Sequence, residues 1–133
     1  MVSLDDVAGI ATQLPEVVEI DRRGNRAWAV SATKRGGPTV FAWERQFSKA
    51  DIRRYGAETP PTGPILAIRV ADLHEKEAVL AANPDAFFTI PHFDGYAAVL
   101  VQLDEVTGPA LRDAILDGWL ACAPPELAER YRA

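Results

Sequence analysis

The chain has 133 residues, enough for one ordinary domain over residues 1–133, and its 48% hydrophobic and 25% charged residues are the balance of a globular protein, not of a disordered or fibrous one. A net charge of −5 argues against a nucleic-acid binder, and a single cysteine, Cys122, excludes an intramolecular disulfide and fits a reducing compartment. The opening residues carry no basic start, and no stretch approaches the roughly 18 apolar residues of a membrane span, so we expect a cytoplasmic protein with no membrane partner.

The charge is unevenly spread. Residues 16–54 carry nine basic and five acidic side chains, whereas residues 55–133 carry five basic and twelve acidic. The first half is therefore basic and the second acidic, although either half is also what a solvated surface looks like.

In chain order, Ser3 followed by Asp6 resembles a capping box, and Val7, Ile10, Ala11 and Leu14 form one apolar stripe. Pro15 cannot continue that helix. Val17 to Ile20 reads as a first strand, Asp21 to Asn25 as a turn, and Trp28, Val30 and Ala32 as a second strand. After Gly36, Gly37 and Pro38, Thr39 to Glu44 is a third strand, with Phe41 and Trp43 expected on one face and Val40 and Ala42 on the other. No helix opening with Lys-Ser/Thr follows those glycines, so they are not a phosphate loop.

Phe47 to Tyr55 has no decisive pattern, and Ser48 is a candidate cap for a short helix holding Ile52 and Tyr55. Ala57 to Pro64, with three prolines, is an irregular loop. Ile65 to Val70 is apolar on both faces except at Arg69 and predicts a central strand. Asp72 and Glu75 start a helix that Asn83-Pro84 ends. A short strand at Phe88 to Ile90 is expected to pair, across the Asp94-Gly95 turn, with a strand in which Val99, Val101 and Leu103 share a face. Thr107 or Asp104 opens the last helix, whose stripe is Leu111, Ile115, Trp119 and Cys122, and Pro124-Pro125 breaks it before a short polar turn from Glu126 to Arg132. The expected architecture is α+β: an antiparallel sheet of about five strands with helices packed on one face, in the order α-β-β-β-β-α-β-β-α.

The segment NPDAFFTIPHFDGYAAVLVQLD, followed by LRDAILDGWLACAP, resembles the second half of the MmcQ/YjbR family of small bacterial proteins. The first half is consistent: a helix ending LPEV, then AWAV, a glycine turn and TVFAWE. The resemblance spans nearly the whole chain and is densest in the last fifty residues. It implies a fold similar to secretion-chaperone-like YjbR folds. It also implies a DNA-binding label that rests on likeness of fold, and fold alone does not license function.

Three functional readings follow. The first is weak, salt-sensitive DNA binding through Arg22, Arg23, Arg26, Lys34, Arg35, Arg53 and Arg54, with Lys49 beside them and Trp28 and Trp43 as stacking faces if exposed. The second is a protein-interaction or chaperone-like domain with a protein partner on an open sheet face or edge. The third is a small-molecule pocket around Trp28, His92, Asp94 and Tyr96, in which His92 and Asp94 orient each other; it needs those side chains to converge. No nucleophile lies beside His92, so we expect no enzyme. Cys122, His74 and His92 have no metal-ligand spacing, and neither metal nor cofactor is expected.

Overall fold

The structure, a computed structural model, describes residues 2–31, 38–54 and 63–132, without the side chains of Arg54 and Arg132. The first helix, α1 (Leu4–Ala11), begins with a reciprocal capping box: Asp6 N–H donates to Ser3 Oγ and Ser3 N–H to Asp6 Oδ2. It ends at Ala11, a turn before Pro15. Three strands follow, β1 (Val17–Arg22), β2 (Asn25–Val30) and β3 (Thr39–Glu44), then helix α2 (Lys49–Arg54) and strand β4 (Ile65–Arg69). Ser48 and Asp51 cap α2 reciprocally, as the serine predicted. Helix α3 (Leu73–Ala82) is capped by Asp72, which accepts from Glu75 N–H. Strand β5 (Phe87–Phe88), a 3-10 turn (Pro91–Phe93) and strand β6 (Ala98–Gln102) lead to α4 (Gly108–Cys122), capped by Thr107, and α5 (Pro125–Arg132).

The strands form one antiparallel sheet in the order β1-β2-β3-β4-β6-β5. It has six strands, the number in the expected element order, and α2, which lies between β3 and β4, is an addition to that order. β4 and β6 are central, as their two-sided apolar character requires. The strand before β6 is Phe87–Phe88, one residue earlier than expected. The link to β6 is a 3-10 turn followed by a tight turn at Gly95 (φ +75°), not an Asp-Gly hairpin alone. Glu126 to Arg132 belong to α5, a two-turn helix where a short turn was expected.

One sheet face packs against the helices. Trp28, Val30, Leu66, Ile68, Val99 and Val101 meet Val7 and Ala11 of α1 and Leu111, Ile115 and Trp119 of α4. The buried Trp119 indole N–H donates to the carbonyl of Pro15 (3.1 Å), so the longest helix also fixes the turn between α1 and β1. Helix α4 lies close on the sheet at Gly118: a Cβ there would sit 2.7 Å from Ile68 Cγ2 and 3.1 Å from the Arg69 carbonyl.

The expected alternation of β3 fails at one point. Trp28 pairs with Ala42 but Ala29 pairs with Val40, so Phe41 is an extra residue, a β-bulge. The bulge resets the period of two. Phe41 and Ala42 both join the helix-side core, and Trp43 falls on the opposite face, not with Phe41.

That opposite face has its own small apolar cluster. Ile65, Ala67, Ala98 and Leu100 of the sheet pack with Ile90 and Phe93, and Trp43, Phe47 and Phe88 lie against them. Apolar packing is thus not confined to one face: α1, α3 and α4 serve the main core, while the 3-10 turn and the segment entering α2 serve the second cluster.

Candidate functional site

The second face gathers arginines and aromatic rings. At one end stands the β1–β2 hairpin. Its register closes with Arg22 opposite Asn25, leaving a two-residue turn of Arg23 (φ +55°) and Gly24 (φ +87°), and Asp21 Oδ1 accepts the Gly24 N–H at 2.8 Å. Glycine takes such a φ without strain; arginine does not. The turn holds Arg22 and Arg23 exposed, and with Asn25, Trp43, Glu44, Arg45 and Gln46 they line a concavity of about 300 Å³.

Arg45 is anchored. Its guanidinium pairs with Asp51 (2.9 Å), donates to the Gln46 carbonyl and lies 5.7 Å from the centre of the Phe93 ring. Burial pushes the Asp51 carboxyl up, but hydrogen bonds from Ser48 and Arg45 outweigh it and hold the group below the usual carboxylate range.

Trp43, half-buried, lies at the centre. Its ring stands 6.4 Å from Phe93 and 6.4 Å from Tyr96, and Phe93 meets Tyr96 edge-on at 5.5 Å. Beyond it, the Arg69 guanidinium lies 6.0 Å from the Trp43 ring and 5.5 Å from the Tyr96 ring, and its Nε donates to the Val40 carbonyl at 2.7 Å. Among the described residues Arg69 has no carboxylate partner.

The loop carrying Phe93 and Tyr96 is held from α3. Lys76, 6% exposed, donates from Nζ to the carbonyls of Phe93 (2.7 Å) and Tyr96 (2.9 Å). Burial lowers the pKa of this ammonium against the opposing pull of Asp94.

The helix side has the opposite charge. A groove between α1 and α4 is lined by Asp5, Asp6 and Asp113 with one Arg112, and a groove between α3 and α4 by Glu75, Asp113 and Asp117.

The sequence-predicted residues divide accordingly. Arg22 and Arg23 sit together in the concavity. Arg26 lies on the helix side, where it binds Glu19 (2.8 Å) and Asp5 (2.7 Å) and lies over the Trp28 ring, so two carboxylates already engage it. Arg53 is exposed on α2. Lys34, Arg35 and the Arg54 side chain lie outside the described residues, as do Ala32, Tyr55 and residues 57–62 of the proline-rich loop.

Trp28 is corrected outright. It is 0% exposed in the helix-side core, its indole N–H bonded to Glu19 Oε1, so it offers no stacking face. The pocket around Trp28, His92, Asp94 and Tyr96 does not form, because Trp28 and Tyr96 belong to opposite faces of the sheet. His92 and Asp94 are exposed and not hydrogen-bonded to each other, and among the described residues the His92 ring meets only the Phe93 ring (6.1 Å). Cys122 is half-buried.

Patterning missed Arg45, Lys76 and the role of Arg69. Arg69 had a signal, a charge in an otherwise apolar strand. Lys76 had none, since a lysine on a mixed helix is ordinarily solvated.

No family model matches the chain. Three proteins, each described as uncharacterised, are similar to it along its full length: Rv2570 and MT2646 of Mycobacterium tuberculosis and Mb2600 of Mycobacterium bovis. Each is 40% identical over 136 aligned positions, which cover 100% of this chain and 98% of the relative. Among solved structures, that of the Deinococcus radiodurans protein DR2400, a DUF419 domain, is similar with a TM-score of 0.64 and 19% identity, over 90% of this chain and 78% of that one. At that identity the likeness shows the fold alone. Among the described residues no helix is long and apolar enough to cross a membrane.

Proposed function

This chain belongs to the family of the mycobacterial proteins Rv2570, MT2646 and Mb2600, and from that starting point we propose that it is a non-enzymatic nucleic-acid-binding domain whose interface is the arginine-lined face of the sheet. One observation carries the reading. Arg22 and Arg23 are exposed in the same concavity as Trp43, the one tryptophan that is not fully buried. Phosphates are attracted by the arginines and a base finds an aromatic face beside them. The net charge of −5 does not oppose this, because the carboxylates of the helix grooves lie on the other side of the sheet.

The strained turn points the same way. A residue with φ near +55° at Arg23 costs about 1 kcal/mol relative to glycine. That strain falls at a residue whose side chain lines the concavity.

The finer family assignment, to MmcQ/YjbR proteins, is also our proposal and rests on the Asn83 to Leu103 resemblance. The lone cysteine favours a cytoplasmic setting. A fluorescence-anisotropy titration of labelled DNA, duplex and single-stranded, at low salt tests the function. We expect binding that weakens with salt and is lost on Arg22→Gln/Arg23→Gln. No binding to either DNA at tens of micromolar protein overturns DNA as the ligand, and no binding to RNA as well overturns the proposal.

A further inference from the structure

Among the described residues, two exposed cations, Arg22 and Arg23, line the concavity beside Trp43, with Arg69 beyond that ring, Arg45 already paired to Asp51, and Lys49 and Arg53 exposed farther off on α2. That is few for a duplex binder, whose affinity comes from neutralising many phosphates. The aromatic content is the larger share. Trp43 and Tyr96 (37% exposed) stand 6.4 Å apart, and the Arg69 guanidinium lies against both rings. Of its five N–H donors, one is bonded to the Val40 carbonyl, and no carboxylate among the described residues takes the others.

We infer that this face selects single-stranded over duplex nucleic acid. Unpaired bases stack on Trp43 and Tyr96, Arg69 takes the phosphate between them, and Arg22 and Arg23 steer the strand. In a duplex the bases are stacked on one another and hidden from an open sheet face, so the rings gain nothing. The inference rests on the reading above but adds a selectivity that the reading does not require. Arg22 and Arg23 alone would hold either form.

The test compares labelled oligo(dT), oligo(U) and a dA·dT duplex of equal length by anisotropy, with heparin as a charge-only competitor. Trp28 and Trp119 are both 0% exposed, so quenching of tryptophan emission reports on Trp43. We expect single strands to bind at least ~10-fold tighter than duplex, one well-stacked base accounting for that factor. Quenching should accompany binding, with a shallow salt slope near ~2 for three phosphate contacts on a single strand. Tyr96→Ala, at an exposed position, should lose most of the preference while keeping weak duplex binding; Arg69→Gln should do the same, and Trp43→Phe should abolish the quenching. The oligo(dT) and oligo(U) arms distinguish DNA from RNA as the source of the strand. Equal or tighter duplex binding, or heparin competing as well as oligo(dT) with no quenching, overturns the selectivity and leaves the nucleic-acid reading standing. Absence of binding to all three nucleic acids overturns both.

Discussion

The ammonium of Lys76 is bonded to the main-chain carbonyl of Tyr96 at 2.9 Å, and its second bond reaches the carbonyl of Phe93 at 2.7 Å. A helix that packs on one core thereby fixes the loop that builds the other. Lys76→Met keeps the apolar stem but leaves the two carbonyls without that donor. Each carbonyl keeps one backbone donor, Tyr96 N–H on Phe93 and Ala98 N–H on Tyr96, so we expect a loss of about 1.5–3 kcal/mol in urea denaturation, the net worth of hydrogen bonds from a charged donor. Nucleic-acid affinity should fall too, because Tyr96 would no longer be held beside Trp43.

Gly118→Ala sets helix propensity against packing. In an exposed helix the change gains up to about 1 kcal/mol. Here the added Cβ would meet Ile68 Cγ2 at 2.7 Å and the Arg69 carbonyl at 3.1 Å. Helix α4 must lift off the sheet, and backbone cannot yield as a side chain can. The expected net effect is destabilisation by about 1–3 kcal/mol, read from the denaturation midpoint at unchanged slope. A gain in stability would show that α4 does not approach the sheet this closely.

Arg23→Gly should separate stability from binding. Relief of the left-handed strain is worth about 1 kcal/mol, partly offset by glycine's greater freedom in the unfolded chain. We expect a slightly higher melting temperature together with weaker binding to oligo(dT). If both fall, Arg23 makes a structural contact that outweighs its strain.

Asp117 supplies a pH test. Burial, then the charges of Glu75 and Asp113, hold its carboxyl above the ordinary value of 3.8. The folded protein therefore binds this proton more tightly than the unfolded chain. The resulting stability is fully present below pH 3.8 and is lost as pH rises through the folded value. Asp117→Asn removes a repelled charge, so at neutral pH the variant should be the more stable, by about 0.5 kcal/mol. The difference should shrink as pH falls through the folded value and vanish once the carboxyl is protonated in both states. Denaturation at several pH values checks it; a gap independent of pH would mean that charge is not its cause.

Much of the local structure was legible in the chain. Ser3, Asp72 and Thr107 cap their helices because a side-chain oxygen can reach only the first free amides, a matter of three residues of spacing. Leu111, Ile115 and Trp119 are buried because they recur on one side of a helix. Cross-strand relationships were less accessible. The bulge at Phe41 depends on how β3 pairs with β2, and one extra residue moved Trp43 to the other face. Arg22 and Arg23 were identified from charge, but so was Arg26, which looks the same in sequence and lies across the sheet between two carboxylates.

The sequence by itself determined the class of fold, the residues that cap the helices and the two inner apolar strands, since these follow from contacts and periodicities a few residues long. It also carried the stretch from Asn83 to Leu103 on which the family resemblance rests. Tertiary structure alone decided which tryptophan is accessible, which arginines stand together, and that Lys76 holds the loop of Tyr96. Those outcomes depend on strand register and on groups 17 to 29 residues apart, such as Lys76 with Phe93 and Arg69 with Val40, and no local pattern encodes such pairings.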